Sequence, residues 1–144
     1  MDDIYNINLL IEKANDIKNA INDLKEYTLL KLEDFLEDNK LIDATKYKLL
    51  IAIEVCISIC LHIATRKFRS IPSNYSECLK ILSEKNIISE ILTEKLINMV
   101  KFRNLLIYLY WKISNKKVFE YIKNNLKDLE AFISGISNFL SVKL

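Results

Sequence analysis

The chain reads as all-α, an antiparallel four-helix-type bundle with short additional helices, and three observations predict it. The 144 residues include one Gly and one Pro, too few turn-formers for a sheet protein. Apolar residues recur at spacings of three and four over most of the length, which is the period of a helix face. Hydrophobic residues make up 51% and charged residues 28%, a mixture that builds a packed core beneath a solvated surface. The length suits a single domain over residues 1–144, with no repeat, low-complexity segment or linker to divide it.

The elements follow in order. Ile4, Ile7, Ile11, Ala14, Ile17, Ile21 and Leu24 lie on one face of a long first helix, with Asp, Glu, Lys and Asn between them. A second helical piece over residues 28–38 places Leu29, Leu32, Phe35 and Leu36 on one side. The third helix, residues 43–66, is apolar almost all round and belongs at the centre of the bundle. Pro72 ends that segment in a loop over 67–73, because proline cannot extend a helix, and Ser73 or Asn74 caps the next one. A short helix over 75–84 and a turn near Asn86 lead to a helix capped by Ser89 or Thr93. The last helix, residues 116–140, buries Val118, Phe119, Ile122, Leu126, Leu129, Phe132, Ile133 and Ile136.

Composition excludes several classes. With 21 basic and 19 acidic residues the net charge is +2, so any nucleic-acid contact has to be local. Lys101, Arg103, Lys112, Lys116 and Lys117 would supply such a local patch, or a plain solvated surface. Cys56, Cys60 and Cys78, two of them in the most apolar stretch, read as core thiols in a reducing cytosol. One histidine and no Cys-x-x-Cys rule out a zinc site. No glycine-rich phosphate loop is present, which argues against nucleotide hydrolysis. The acidic amino terminus is unlike a secretory signal, and the apolar run 49–64 is short for a span and broken by Glu54 and His62. The expected location is the cytoplasm, away from any membrane.

Residues 102–111, Phe-Arg-Asn-Leu-Leu-Ile-Tyr-Leu-Tyr-Trp, carry the most information. Taken alone they are the end of a core helix, with Arg103 capping carbonyls or pairing with a carboxylate. On an ideal helix Arg103 and Tyr110 share a face while Tyr108 points away, so convergence of all three needs a break or bend near Asn104. A second group, Glu54, Ser58, His62 and Arg66, repeats at intervals of four and forms a polar stripe on the third helix. That stripe faces either solvent or the cleft beside Arg103.

The decapeptide resembles the signature of the HEPN superfamily, and within it the HepT toxins of HepT/MNT systems. Their pattern is Arg-Asn, three residues, His, one residue, Tyr; Arg103, Asn104 and Tyr110 match, and Tyr108 stands at the histidine position. Residues 47–66 are similar to the HepT helix that reads Ala-Ile-Glu and His-Ile at comparable places. Residues 72–82, 82–88 and 118–132 are also family-like, so the resemblance spans about residues 47–132.

The resemblance implies a HEPN-like bundle and a metal-independent endoribonuclease without a cofactor. It also implies a homodimer that joins motifs from two subunits, and a toxin paired with a minimal nucleotidyltransferase antitoxin. Such chemistry needs a proton carrier near neutrality and a cation for the charge that builds on phosphorus. Arginine meets a phosphate with two hydrogen bonds, so Arg103 inherits the second role with Asn104 beside it. Tyr108 takes the place of the proton carrier. A phenol of ordinary pKa, about 10, keeps its proton near neutrality and donates a hydrogen bond. His62 is the only imidazole available for rescue. Tyr110 is the residue the resemblance marks for AMPylation by the antitoxin, or else an aromatic wall of the bundle or dimer contact. The alternative to a toxin with a degenerate motif is a catalytically inactive module that dimerises and docks the nucleotidyltransferase. A helical scaffold unrelated to toxins is a third, lower reading.

Overall fold

A computed structural model describes residues 5–144, so Ile4 lies outside the described residues. Six helices and no strand occur among them: α1 (Ile7–Tyr27), α2 (Leu32–Glu37), α3 (Asn39–Phe68), α4 (Tyr75–Glu84), α5 (Glu90–Tyr108) and α6 (Asn115–Leu140). Each long helix starts where a short polar side chain takes up a free backbone N–H. Asn6, Asp38, Asn74, Ser89 and Ser114 accept from Leu9, Leu41, Glu77, Leu92 and Lys117, at 2.8 to 3.3 Å. Of the paired candidates, Asn74 rather than Ser73 caps α4, and Ser89 rather than Thr93 caps α5. The Thr93 hydroxyl instead donates to the Ser89 carbonyl, 2.7 Å away, which satisfies it inside the bundle.

Helix α3 is the spine, packed against all five others. It is long and apolar enough to cross a membrane, and half of its most apolar stretch is buried within the bundle, as in a core helix. Leu49, Ile53, Ile59 and Ile63 meet Leu10, Ile17 and Leu24 of α1 and Phe132 of α6, all fully buried. The eight residues named above for the last helix are all buried in α6. Cys56, Cys60 and Cys78 are core; the Cys60 and Cys78 sulfurs, 2.8 Å apart, join α3 to α4.

Three expectations change. The second helical piece does not run from 28: the chain turns at Thr28, whose hydroxyl donates to the Lys25 carbonyl at 2.6 Å, and α2 begins at Leu32. Leu29 is therefore 85% exposed and only Phe35 of that piece is buried, against Phe119. Helix α3 begins at Asn39, four residues early, because Asp38 caps it, and it continues through Phe68 into the expected loop. Helix α5 runs unbroken past Asn104 to Tyr108. Reversal comes later, in residues 109–114, where the Lys112 and Ile113 amides both return to the Leu109 carbonyl.

The single glycine serves packing and no turn. Left-handed positions are filled by Arg69, Asn86 and Ser141, while Gly135 sits inside α6. A Cβ at Gly135 would meet the Ile87 carbonyl oxygen at 2.8 Å and the Ile88 side chain at 3.3 Å. Alanine in a helix interior normally gains about 1 kcal/mol over glycine. Gly135→Ala is expected to lose about 1–2 kcal/mol instead, since a backbone oxygen must shift. Urea unfolding checks the sign; a stabilised variant would show that the α6 contact gives way freely.

Candidate functional site

Two side-chain clusters form where α5 and the following turn cross α3. At the first, Arg103 is gathered by three helices. Its Nε donates to Glu54 Oε1 of α3 and its Nη1 to Asn104 Oδ1 at 3.0 Å, and the guanidinium lies 5.3 Å from the centre of the Tyr75 ring of α4. The Arg103 side chain is 15% exposed and that of Glu54 36%. The remaining guanidinium N–H groups have no protein partner among the described residues, so a rigid fork with donors to spare stands at the surface.

The second cluster surrounds Tyr110. Its hydroxyl donates to Asp43 Oδ1 at 2.8 Å, Lys46 Nζ donates to its carbonyl at 2.9 Å, and the same ammonium lies 4.3 Å from the ring centre. Trp111 closes the other side edge-on, 5.0 Å away. Burial and the Asp43 carboxylate push the Tyr110 phenol up to about 12. Burial pulls Lys46 down from the usual lysine range, against the attraction of Asp43. Counting from Lys46 to Glu54 along α3 puts the clusters roughly 12 Å apart.

Tyr108 joins neither. Five helical residues beyond Arg103 turn the side chain by roughly 140°, and α5 has no bend to bring it back. It is 76% exposed, and its hydroxyl has no partner among the described residues. Leu105, Ile107, Leu109 and Trp111 are also exposed, around the end of α5 and in the turn that follows it.

The polar stripe divides. Glu54 meets Arg103, whereas His62 Nε2 accepts from the Asn6 amide at 3.2 Å and so closes the start of α1. His62 lies roughly 12 Å from Glu54 along α3, away from Tyr110. Burial, then Arg66 and Lys13, hold its pKa below the ordinary histidine range, consistent with a neutral acceptor. Ser58 is half-buried between them and Arg66 is exposed. No imidazole therefore reaches Arg103 within one chain. Among the described residues no three His, Cys, Asp or Glu side chains gather around a metal-sized space.

Asp43, Lys46 and Tyr75 are site residues that sequence reasoning missed. Lys46 left a trace, as a lysine on a helix otherwise apolar almost all round. Asp43 and Tyr75 left none, since an acid in an early helix turn and a tyrosine at a helix start are both ordinary.

Known proteins resemble this chain in sequence and fold. The mRNA nuclease HepT of Shewanella oneidensis is 27% identical over 128 residues, which cover 89% of this chain and 96% of that protein. A tri-AMPylated Shewanella oneidensis HEPN toxin in complex with MNT antitoxin superposes with a TM-score of 0.82 at 28% identity, over 96% of this chain and 99% of that one. A toxin–antitoxin structure with AMP-PNP gives 0.79 at 27% identity, over 94% and 99%. YutE, a cytosolic protein of unknown function from Bacillus subtilis, shares the fold alone, with a TM-score of 0.84 at 13% identity over 96% and 92%. The family model described as Ribonuclease HepT-like matches residues 17–136, a span that holds both clusters, and the chain belongs to that family.

Proposed function

We propose that this chain, one HEPN domain, is the toxin-side subunit of a toxin–antitoxin pair whose partner is a minimal nucleotidyltransferase. The observation that carries the reading is the pair of clusters: a guanidinium fork with free donors, and a tyrosine hydroxyl held at the surface. Arg103 would grip an RNA phosphate, a reading supported by Asn104 and Glu54 fixing its plane. Tyr110 would accept AMP, a reading supported by related toxin–antitoxin structures that are AMPylated or hold AMP-PNP. The exposed Leu105, Ile107, Leu109 and Trp111 favour a homodimer. In such a homodimer Tyr108, which α5 turns away from the Arg103 of its own chain, is free to meet the other copy.

RNA cleavage in this arrangement lacks an imidazole. Tyr108 supplies a hydrogen-bond donor to phosphate, and turnover is slow. A second reading, a catalytically silent module that keeps the dimer and the docking surface, is favoured by the Arg103–Glu54 pair and by the distance of His62.

Expression in cells decides between them. The toxin reading expects growth arrest that co-expression of the nucleotidyltransferase relieves, with AMP found on the Tyr110 peptide by mass spectrometry. Harmless expression with tight nucleotidyltransferase binding would establish the silent module, and harmless expression without binding would end both.

A further inference from the structure

We propose that Asp43 is the proton acceptor that makes Tyr110 an adenylyl acceptor, so that the toxin itself brings the base for its own modification. The inference rests on the reading that Tyr110 is the modified residue. Asp43 Oδ1 lies 2.8 Å from the Tyr110 hydroxyl, inside the range over which a positioned base takes a proton in the transition state. The carboxylate is exposed and the phenol half-buried, so a nucleotide carried by a partner enzyme can reach the oxygen.

The surroundings leave the phenol oxygen little freedom. Lys46 is anchored on the Tyr110 carbonyl and lies against its ring, and Trp111 abuts the ring edge-on. Lys46 itself is unsuited to be the base, because its Nζ is engaged at the carbonyl. A phenol pushed up to about 12 holds its proton firmly at neutrality. Nucleophilic attack then requires removal of that proton as the new bond forms, and Asp43 is the group in contact.

The Tyr110 oxygen attacks the α-phosphorus of a nucleoside triphosphate held by the nucleotidyltransferase and forms a phosphodiester. The bond from the α-phosphorus to the bridging oxygen breaks, and pyrophosphate leaves with the electron pair. The phenolic proton passes to Asp43 and from there to water. The modified oxygen has no proton left to donate, so the Asp43 hydrogen bond ends with the reaction.

Asparagine separates proton transfer from mere positioning, because its amide oxygen still accepts from the phenol yet cannot take the proton. The experiment uses this chain with a minimal nucleotidyltransferase antitoxin and α-labelled ATP, and follows initial rates against toxin concentration. D43N is expected to lower kcat about a hundredfold with KM unchanged. D43E should recover part of the rate, and Y110F should take no label. A D43N variant labelled on Tyr110 at the wild-type kcat would overturn the role of Asp43 and leave the Tyr110 reading standing. Wild-type protein without label on Tyr110 would remove both.

Discussion

Tyr108→His is expected to raise RNA cleavage about a hundredfold, the lower end of what a positioned acid–base group contributes. Among the described residues position 108 has no side-chain hydrogen-bond partner, and it is 76% exposed, so an imidazole there meets no steric obstacle and titrates near neutrality. Under the proposed homodimer the gain needs a second copy, since α5 directs position 108 away from the Arg103 of its own chain. Initial rates on a fluorogenic single-stranded RNA, measured across dilution, test both points. Cleavage should rise and should fall again as the dimer dissociates. An unchanged rate at every concentration would mean that no groove unites Arg103 with position 108.

Arg103→Ala is expected to cut that cleavage by about 10²–10³, the usual loss when a preorganised donor to a developing anion is removed. Arg103→Lys should fall between, because lysine keeps the charge without the planar fork. The alanine variant should remain folded. Its partner Glu54, at 36% side-chain exposure, turns to water once freed, and loss of so exposed a pair costs about 1 kcal/mol or less. Glu54→Ala is the harsher change, since it strands a guanidinium that is 15% exposed, and about 1–2 kcal/mol is expected. Thermal unfolding of the two variants checks that order. A less stable Arg103→Ala would show that the arginine serves packing above chemistry, as its place against Tyr75 allows.

The helices themselves were legible because their signals are local. Asn74 and Ser89 announce starts, Pro72 a stop, and the three-and-four spacing from Val118 to Ile136 marks a buried face without reference to any other helix. The misplaced starts are instructive. Leu29 carries the right spacing for a helix face and is exposed nonetheless, because a hydroxyl bond at Thr28 turns the chain first. In the first helix it is Leu10, adjacent to the partly exposed Ile11, that the bundle buries fully.

Within the site, Arg103, Asn104 and Tyr110 were visible through their motif, and Glu54 through its interval on the polar stripe. That interval also admitted His62 to the same cleft, and the structure hands it to the start of α1 instead. Spacing along a helix assigns residues to a side but does not name what packs against that side.

By itself, then, the amino-acid order determined the all-α class, the order of the helices, the residues of the main cores and the family motif. Tertiary structure alone decided that Arg103 meets Glu54, that Tyr108 stands apart, and that Tyr110 finds Asp43 across 67 residues of chain. The reason is range: caps and periodicity act within a turn or two of backbone, whereas a hydrogen bond between helices exists only once packing has set their rotation and separation.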